Sequence, residues 1–353
     1  MMPAGASTSI SRSFAEQHSF RNLADMTTMT LKRCMMTLMA AATLSTMAAA
    51  EVCQTPGELQ PAQKSAIDQA VQGFNQAALT GNTAAIQAAA IPALGSNVVT
   101  NAVQQIQQNA AGGRSQVTFE YLLKQDQPST VDAQFFCGIY NASVRVQFNI
   151  PQLPPGQYAF AISEITGGKL PFKVSYVLQQ EGTQWKLAGI VAKPETVGGH
   201  DGLWYWTQAR QAKAQAHNHV AWFYYLTAQQ ILQPVDFIST TNLDKLFNEE
   251  QSVQPQDVPT DKPVSFTASN GQNWQILQMF TTADDKNNLV LVVKYSVPDV
   301  SNTGAAFNNN TTLANQLVQK YPEYRNAFAS IVTRATAPNG QDFGTEIKMS
   351  DIK

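Results

Sequence analysis

Charge is scarce in this chain. Only 14% of its 353 residues are Asp, Glu, Lys or Arg, against about 25% in an average globular protein. The 23 basic and 25 acidic side chains leave a formal net charge of −2, with no basic run. Counterion-driven attraction to a phosphate backbone is therefore weak, and nucleic acid is not expected as a partner. Cysteine is rarer still, with three in all and no C-x-x-C pair. Nor is there a G-x-S-x-G nucleophile turn, an H-E-x-x-H zinc helix, a phosphate loop or a dinucleotide glycine fingerprint. No cofactor and no metal is expected. The longest apolar run is about 14 residues, short of the roughly 20 that a spanning helix needs.

That run is the most informative feature present. Residues 31–50 read LKRCMMTLMAAATLSTMAAA: a positive head at Lys32-Arg33, an apolar tract from Cys34 to Met47, and a small-residue end at Ala48-Ala49-Ala50. This is the three-part pattern of a secretory signal peptide, with cleavage expected after Ala50. Residues 1–50 are read as a leader. Signal peptides start a few residues before the positive head, which makes Met26 or Met29 a better start than Met1. Lipid attachment at Cys53 is disfavoured by its Ala50-Glu51-Val52 context. Cys53 and Cys137 then remain as an even pair in an exported chain, expected to form one disulfide. The mature chain is not expected to span a membrane.

About 300 mature residues exceed one ordinary domain. Apolar positions Ile67, Ala70, Val71, Phe74 and Ala78 recur at helical spacing after Pro61, and Val98, Val99, Ala102, Val103 and Ile106 do so again. From Gln116 the period becomes two, and Pro/Gly turns separate six strands between Val117 and Lys193. In the last hairpin Val174, Tyr176 and Leu178 share one face, Lys173, Ser175 and Val177 the other. Helices followed by an antiparallel meander predict an α+β domain over 51–197. Residues 198–250 read as a helical hairpin with its turn near Ala216–His219. The Pro-rich stretch 251–263 reads as a linker. A small α+β domain follows over 264–353, in the order β-β-α-β-β, with a low-complexity loop over Ser301–Asn310 ahead of its helix.

The helix-then-sheet order and the closing hairpin KVSYVLQQEGTQWKLAGIVAKP resemble the NTF2-like (cystatin-like) superfamily, over about Gln60 to Pro194. The resemblance implies a helix-plus-curved-sheet domain with a ligand cleft between the concave face and the helices. It implies no single activity, because such folds host enzymes, binding modules and dimerisation domains alike. The run from Leu203 to Pro234, with Ala209, Ala212, Ala221, Tyr225 and Ala228 at close-packing positions, is similar to one tetratricopeptide-type hairpin, although an array needs about three copies. The chain as a whole resembles secreted bacterial proteins of unknown function.

Candidate site residues fall into four groups. Trp204, Trp206, Trp222 and Tyr225 are dense enough for a partner or ligand platform, with packing between domains as the competing explanation. In an NTF2-like cleft, Tyr158, Tyr176, Glu120, Arg145 and Glu164 are the polar and ionisable residues on strands. A carboxylate buried there could act as acid or base, whereas on a one-sided sheet the charges face solvent. His217 and His219 sit in a helix–helix turn, where a solvated turn outweighs a metal site. Glu249-Glu250 and Asp284-Asp285 read as solvated loop charges. The expected function is an exported, non-enzymatic binding or assembly module of the periplasm or cell exterior, taking a protein partner or a small apolar ligand, with a homodimer left open. The alternatives are an NTF2-like isomerase, dehydratase or hydrolase acting on a small apolar substrate, and a purely structural envelope protein.

Overall fold

The computed structural model describes residues 51–138 and 143–353; the leader lies outside them. The fold is α+β, arranged as two lobes. In the first lobe a short strand, β1 (Val52–Gln54), precedes helices α1 (Pro61–Leu79), α2 (Thr83–Ala88) and α3 (Ser96–Ala110). Pro61 opens α1 at a position where its missing N–H is no loss, and Ile67, Val71, Phe74 and Ala78 form the buried stripe. Gly81 takes φ 73° to end the helix, and the Asn82 side chain accepts from the Ala85 N–H to start the next.

Six strands follow: β2 (Arg114–Gln125), β3 (Val131–Cys137), β4 (Val146–Leu153), β5 (Gly156–Thr166), β6 (Phe172–Glu181) and β7 (Gln184–Pro194). They divide between two sheets. The larger is antiparallel in the order β1-β2-β5-β6-β7. One face, with Leu122, Ala159, Ala161, Val174, Tyr176 and Leu178, packs on the three helices. The other, with Leu123, Tyr158, Phe160 and Ile162, packs on a three-stranded sheet. Phe160 meets Phe148 of that sheet edge to face at 5.2 Å between centroids. β5 is therefore buried on both faces and carries no clean alternation.

The turn from β5 to β6 docks on the end of α3, where the Leu170 N–H donates to the Asn109 carbonyl at 2.9 Å. A Cβ added at Gly168 would stand 2.6 Å from the Ala110 Cα. That neighbour is backbone and cannot swing aside. Gly168→Ala is expected to cost about 1–3 kcal/mol through overpacking, read as a lower urea midpoint at unchanged slope. An unchanged midpoint would mean that the turn moves freely off the helix.

Two-residue strands β8 (Thr196–Val197) and β9 (His200–Asp201) lead into the second lobe. Helices α4 (Gly202–Ala214) and α5 (Asn218–Leu232) form the expected hairpin. It packs on a third sheet made of β11 (Val264–Thr267), β12 (Asn273–Ala283), β13 (Leu289–Ser296), β14 (Ser330–Thr336) and β15 (Asp342–Lys348), in sequential order. β13 and β14 are parallel. Their crossover carries α7 (Thr303–Lys320) and a short α8 (Tyr324–Ala327). The hairpin, this sheet and α7 share one hydrophobic core, so the hairpin is not a separate linking element. Helix α7 begins inside the stretch read as a low-complexity loop: Asn302 caps it, and Asn310 is buried, donating to the Phe343 carbonyl at 3.0 Å and Thr345 Oγ1 at 2.9 Å.

Between α5 and α6 (Thr241–Gln251) the chain crosses back to the first lobe. Residues Ile238–Thr240 form β10, which pairs antiparallel with Val146–Phe148 of β4. Val235 and Ile238 enter the core between the two sheets of the first lobe. Lys193, at the end of β7, reciprocates by donating to the Gln230 and Gln233 carbonyls at the C-terminus of α5, where a cation complements the helix dipole. The lobes are laced together, not strung in series.

Candidate functional site

The aromatic residues read as either a platform or packing between domains are largely interior. Trp206, Trp222 and Tyr225 are buried in the second-lobe core. Trp206 Nε1 donates to Glu249 Oε2 at 2.8 Å, and the Tyr225 hydroxyl donates to the same oxygen at 3.3 Å. Arg210 completes this clasp with two bonds, at 2.7 and 2.8 Å, while stacking on Trp206. The Arg210 bonds, aided by Trp206 and Tyr225, hold the Glu249 carboxyl down at about 2 against the opposing effect of burial. Glu249 lies on α6 as an anchor, not in a solvated loop. Trp204 alone stays partly exposed, its indole stacked on the His200 imidazole at 3.7 Å.

Glu250, next to Glu249 in sequence, is also no surface charge. It is buried, its Oε2 has no partner, and burial pushes its carboxyl up to about 8.

His219 is not part of a solvated turn. It lies in the first turn of α5, with Nδ1 2.7 Å from the Tyr324 hydroxyl and Nε2 2.9 Å from Asp257 Oδ1. Asp257 also accepts from the Tyr321 hydroxyl, and the His219 and Tyr321 rings stack at 4.0 Å. Bonds from His219 and then Tyr321 keep Asp257 well below the usual carboxylate range. Both imidazole nitrogens are engaged, which leaves no lone pair for a substrate. The cluster pins residues 251–263 against α5 and the end of α7. His219→Ala strands the fully buried Tyr324 hydroxyl and is expected to cost about 3 kcal/mol, measurable by urea unfolding. A loss below a few tenths would show that water takes over the imidazole's bonds.

In the first lobe the expected cleft is filled. Tyr176 is completely buried, and its hydroxyl donates to Asn75 Oδ1 at 2.8 Å while Asn75 Nδ2 donates to Ser163 Oγ at 2.9 Å. Tyr158 and Glu164 belong to the opposite face from the helices. Tyr158 is buried under the small sheet with its hydroxyl on the Pro154 carbonyl at 3.0 Å, and Glu164 lies across from Lys173. Arg145 sits just before β4, its guanidinium 6.0 Å from the Phe136 ring centroid. The structure does not bring these residues together.

Glu120 is the exception: it faces the helices and is 2% exposed. Lys64 Nζ bridges Glu120 Oε2 at 2.8 Å and Asp68 Oδ2 at 2.9 Å. Burial, then contact with Asp68, raises the Glu120 carboxyl to about 7. Asp68 is held below its usual range by Glu120 and Lys64, although its own burial opposes this. One proton shared between two carboxyls beside a lysine is acid–base equipment in other settings. Here Lys64 covers it.

Two open concavities lie at the end of the large sheet. A pocket of about 230 Å³ is lined by Val52, Gln54, Gln63, Leu122, Lys124 and Gln157. A shallower groove of about 650 Å³ shares Lys124 and Gln157 and runs over the turns at Gln125–Pro128, Pro155-Gly156 and Gln180–Gly182. Register explains the assembly: Val52 pairs with Lys124 and Lys124 with Gln157, on the helix-facing side beyond the first turn of α1. Gln54 Oε1 is buried without a partner. Among the described residues the side-chain amides of Gln63, Gln157 and Gln180 make no hydrogen bond. Periodicity could not reveal this site, since its residues come from strand ends and turns; the abundance of glutamine was the available signal. No group of three or more His, Cys, Asp or Glu side chains among the described residues could hold a metal.

Comparison with known proteins adds no relative: no family model, no curated protein and no solved structure matches this chain.

Proposed function

We propose that the chain is an exported, non-catalytic binding module, with an N-terminal lobe of NTF2-like type whose cleft has become a packed core. The observation that carries this is the contrast between its two kinds of polar group. The ionisable clusters around His219, Glu249 and Glu120 are held by their own neighbours, with His219 and Glu120 buried, while the solvent-facing polar side chains at the open concavity are mainly amides. Amides bind by hydrogen bonding and supply neither a nucleophile nor a titrating base near neutral pH. Export is supported by the leader pattern and by the Cys53–Cys137 bond; among the described residues no helix is long and apolar enough to cross a membrane.

A second reading, an enzyme using Glu120 as its acid or base, draws on that carboxyl's position near 7. The two are separated by incubating the mature protein with a panel of small polar solutes and following the solute by proton NMR. Binding gives broadened solute lines and no new compound. A product that disappears in Glu120→Gln would establish the enzyme instead.

A further inference from the structure

We infer that the concavity at the end of the large sheet is a site for a neutral carbohydrate; this rests on the binding reading above. Charge is the first argument. The lining carries Lys124 and Asp126, already paired with each other at 3.0 Å, so no net charge is left to select an anion or a cation. Hydrogen-bonding capacity is the second. Gln63, Gln157 and Gln180 each offer two donors and an acceptor. A hydroxyl both gives and takes a hydrogen bond, so a polyol satisfies such a mixed set without leaving either kind unpaired. The floor is the third. Val52, Leu122, Pro128 and Pro155 supply apolar patches between the amides, suited to the C–H faces of a sugar ring.

Geometry disfavours a peptide. Extended peptides are held mainly by a ladder along a free strand edge. This concavity is framed by strand ends and turns, and β1, the edge strand beside it, is tied to β3 through Cys53–Cys137. The two linked volumes fit one sugar ring in the pocket and further rings along the groove.

The test is titration of the mature, oxidised protein with neutral trisaccharides of gluco, galacto and manno configuration, beside a sulfated trisaccharide and a neutral tripeptide. At least one neutral trisaccharide is expected to bind in preference to the sulfated one and the peptide. Gln157→Ala and Gln180→Ala, on partly exposed side chains with no internal bonds, should each raise Kd about tenfold with unchanged melting temperature. Absence of binding by every neutral saccharide, or affinity indifferent to both substitutions, overturns the assignment. Binding of the peptide or the sulfated sugar that is lost in the Gln variants also overturns it, yet leaves the binding-module reading standing. Conversion of a saccharide to product would remove that reading and keep the site.

Discussion

A Cys53→Ser/Cys137→Ser double variant is expected to unfold with about 4–5 kcal/mol less free energy than the oxidised protein. The bond joins residues 84 apart, with Cα atoms 5.4 Å from each other, so in the chain-entropy model it removes a long loop from the unfolded ensemble. Its position adds a local consequence. β1 is three residues long, paired on one side with Leu122–Lys124, and the disulfide fastens it to β3 of the smaller sheet. Beside it the Glu51 carboxylate accepts from the Gln134 N–H at 2.9 Å. Without the bond, β1 should release first and the pocket lined by Val52 and Gln54 should open with it. Urea unfolding gives the global loss, and amide exchange at residues 52–54 and 122–124 reports the local one. Equal stability of oxidised and variant protein would show that the sheets hold β1 unaided.

The second large effect concerns pH. Glu250 is 3% exposed and its carboxyl stands at about 8, raised by burial. Between the unfolded value near 4.5 and the folded value near 8, the folded chain binds more protons than the unfolded one. Stability is therefore fully present below about pH 4.5 and falls as pH rises through that window. Glu120, raised to about 7, acts with the same sign. Glu249 and Asp257 act oppositely: their folded values are depressed, so their contributions are full above about pH 4 to 5 and are lost as pH falls toward about 2 and below. The protein should be most stable near pH 5. Glu250→Gln should flatten the loss toward pH 8 and raise stability there by several kcal/mol, about 3–5 as an upper bound. Melting temperatures at pH 5 and 8 for both proteins decide the matter. A Glu250→Gln profile parallel to the parent's would mean that water reaches this carboxyl in the folded state.

The extent to which the sequence foretold this molecule follows from the range of the interactions involved. The β6–β7 hairpin was legible because alternation is local: Val174, Tyr176 and Leu178 do share the helix-facing core, and Val177 does face the other way. Which face would hold a cleft was not legible. β5 is covered on both sides, and a strand buried twice gives no sign of which partner lies on which side. The start of α7 was hidden because Asn-rich segments look like loops, and only contacts with Phe343 and Thr345 make Asn310 a core residue. His219 looked solvated because its partner Asp257 lies 38 residues away. β10 was invisible for the same reason: three residues between helices carry no period, and their meaning is the exposed edge of β4 that they cover. The aromatic run was seen but read as two alternatives, and burial of Trp206, Trp222 and Tyr225 favours packing.

The claim beneath the rest is that the tract ending at Ala50 directs the chain out of the cytosol and is then removed. Intact mass of the protein recovered from the periplasmic or culture fraction of a bacterial host expressing the full reading frame addresses it most directly. A chain beginning at Glu51 and two hydrogens lighter than its reduced form is expected. A cytosolic chain that retains residues 31–50, with Cys53 and Cys137 both free to alkylate, would contradict it.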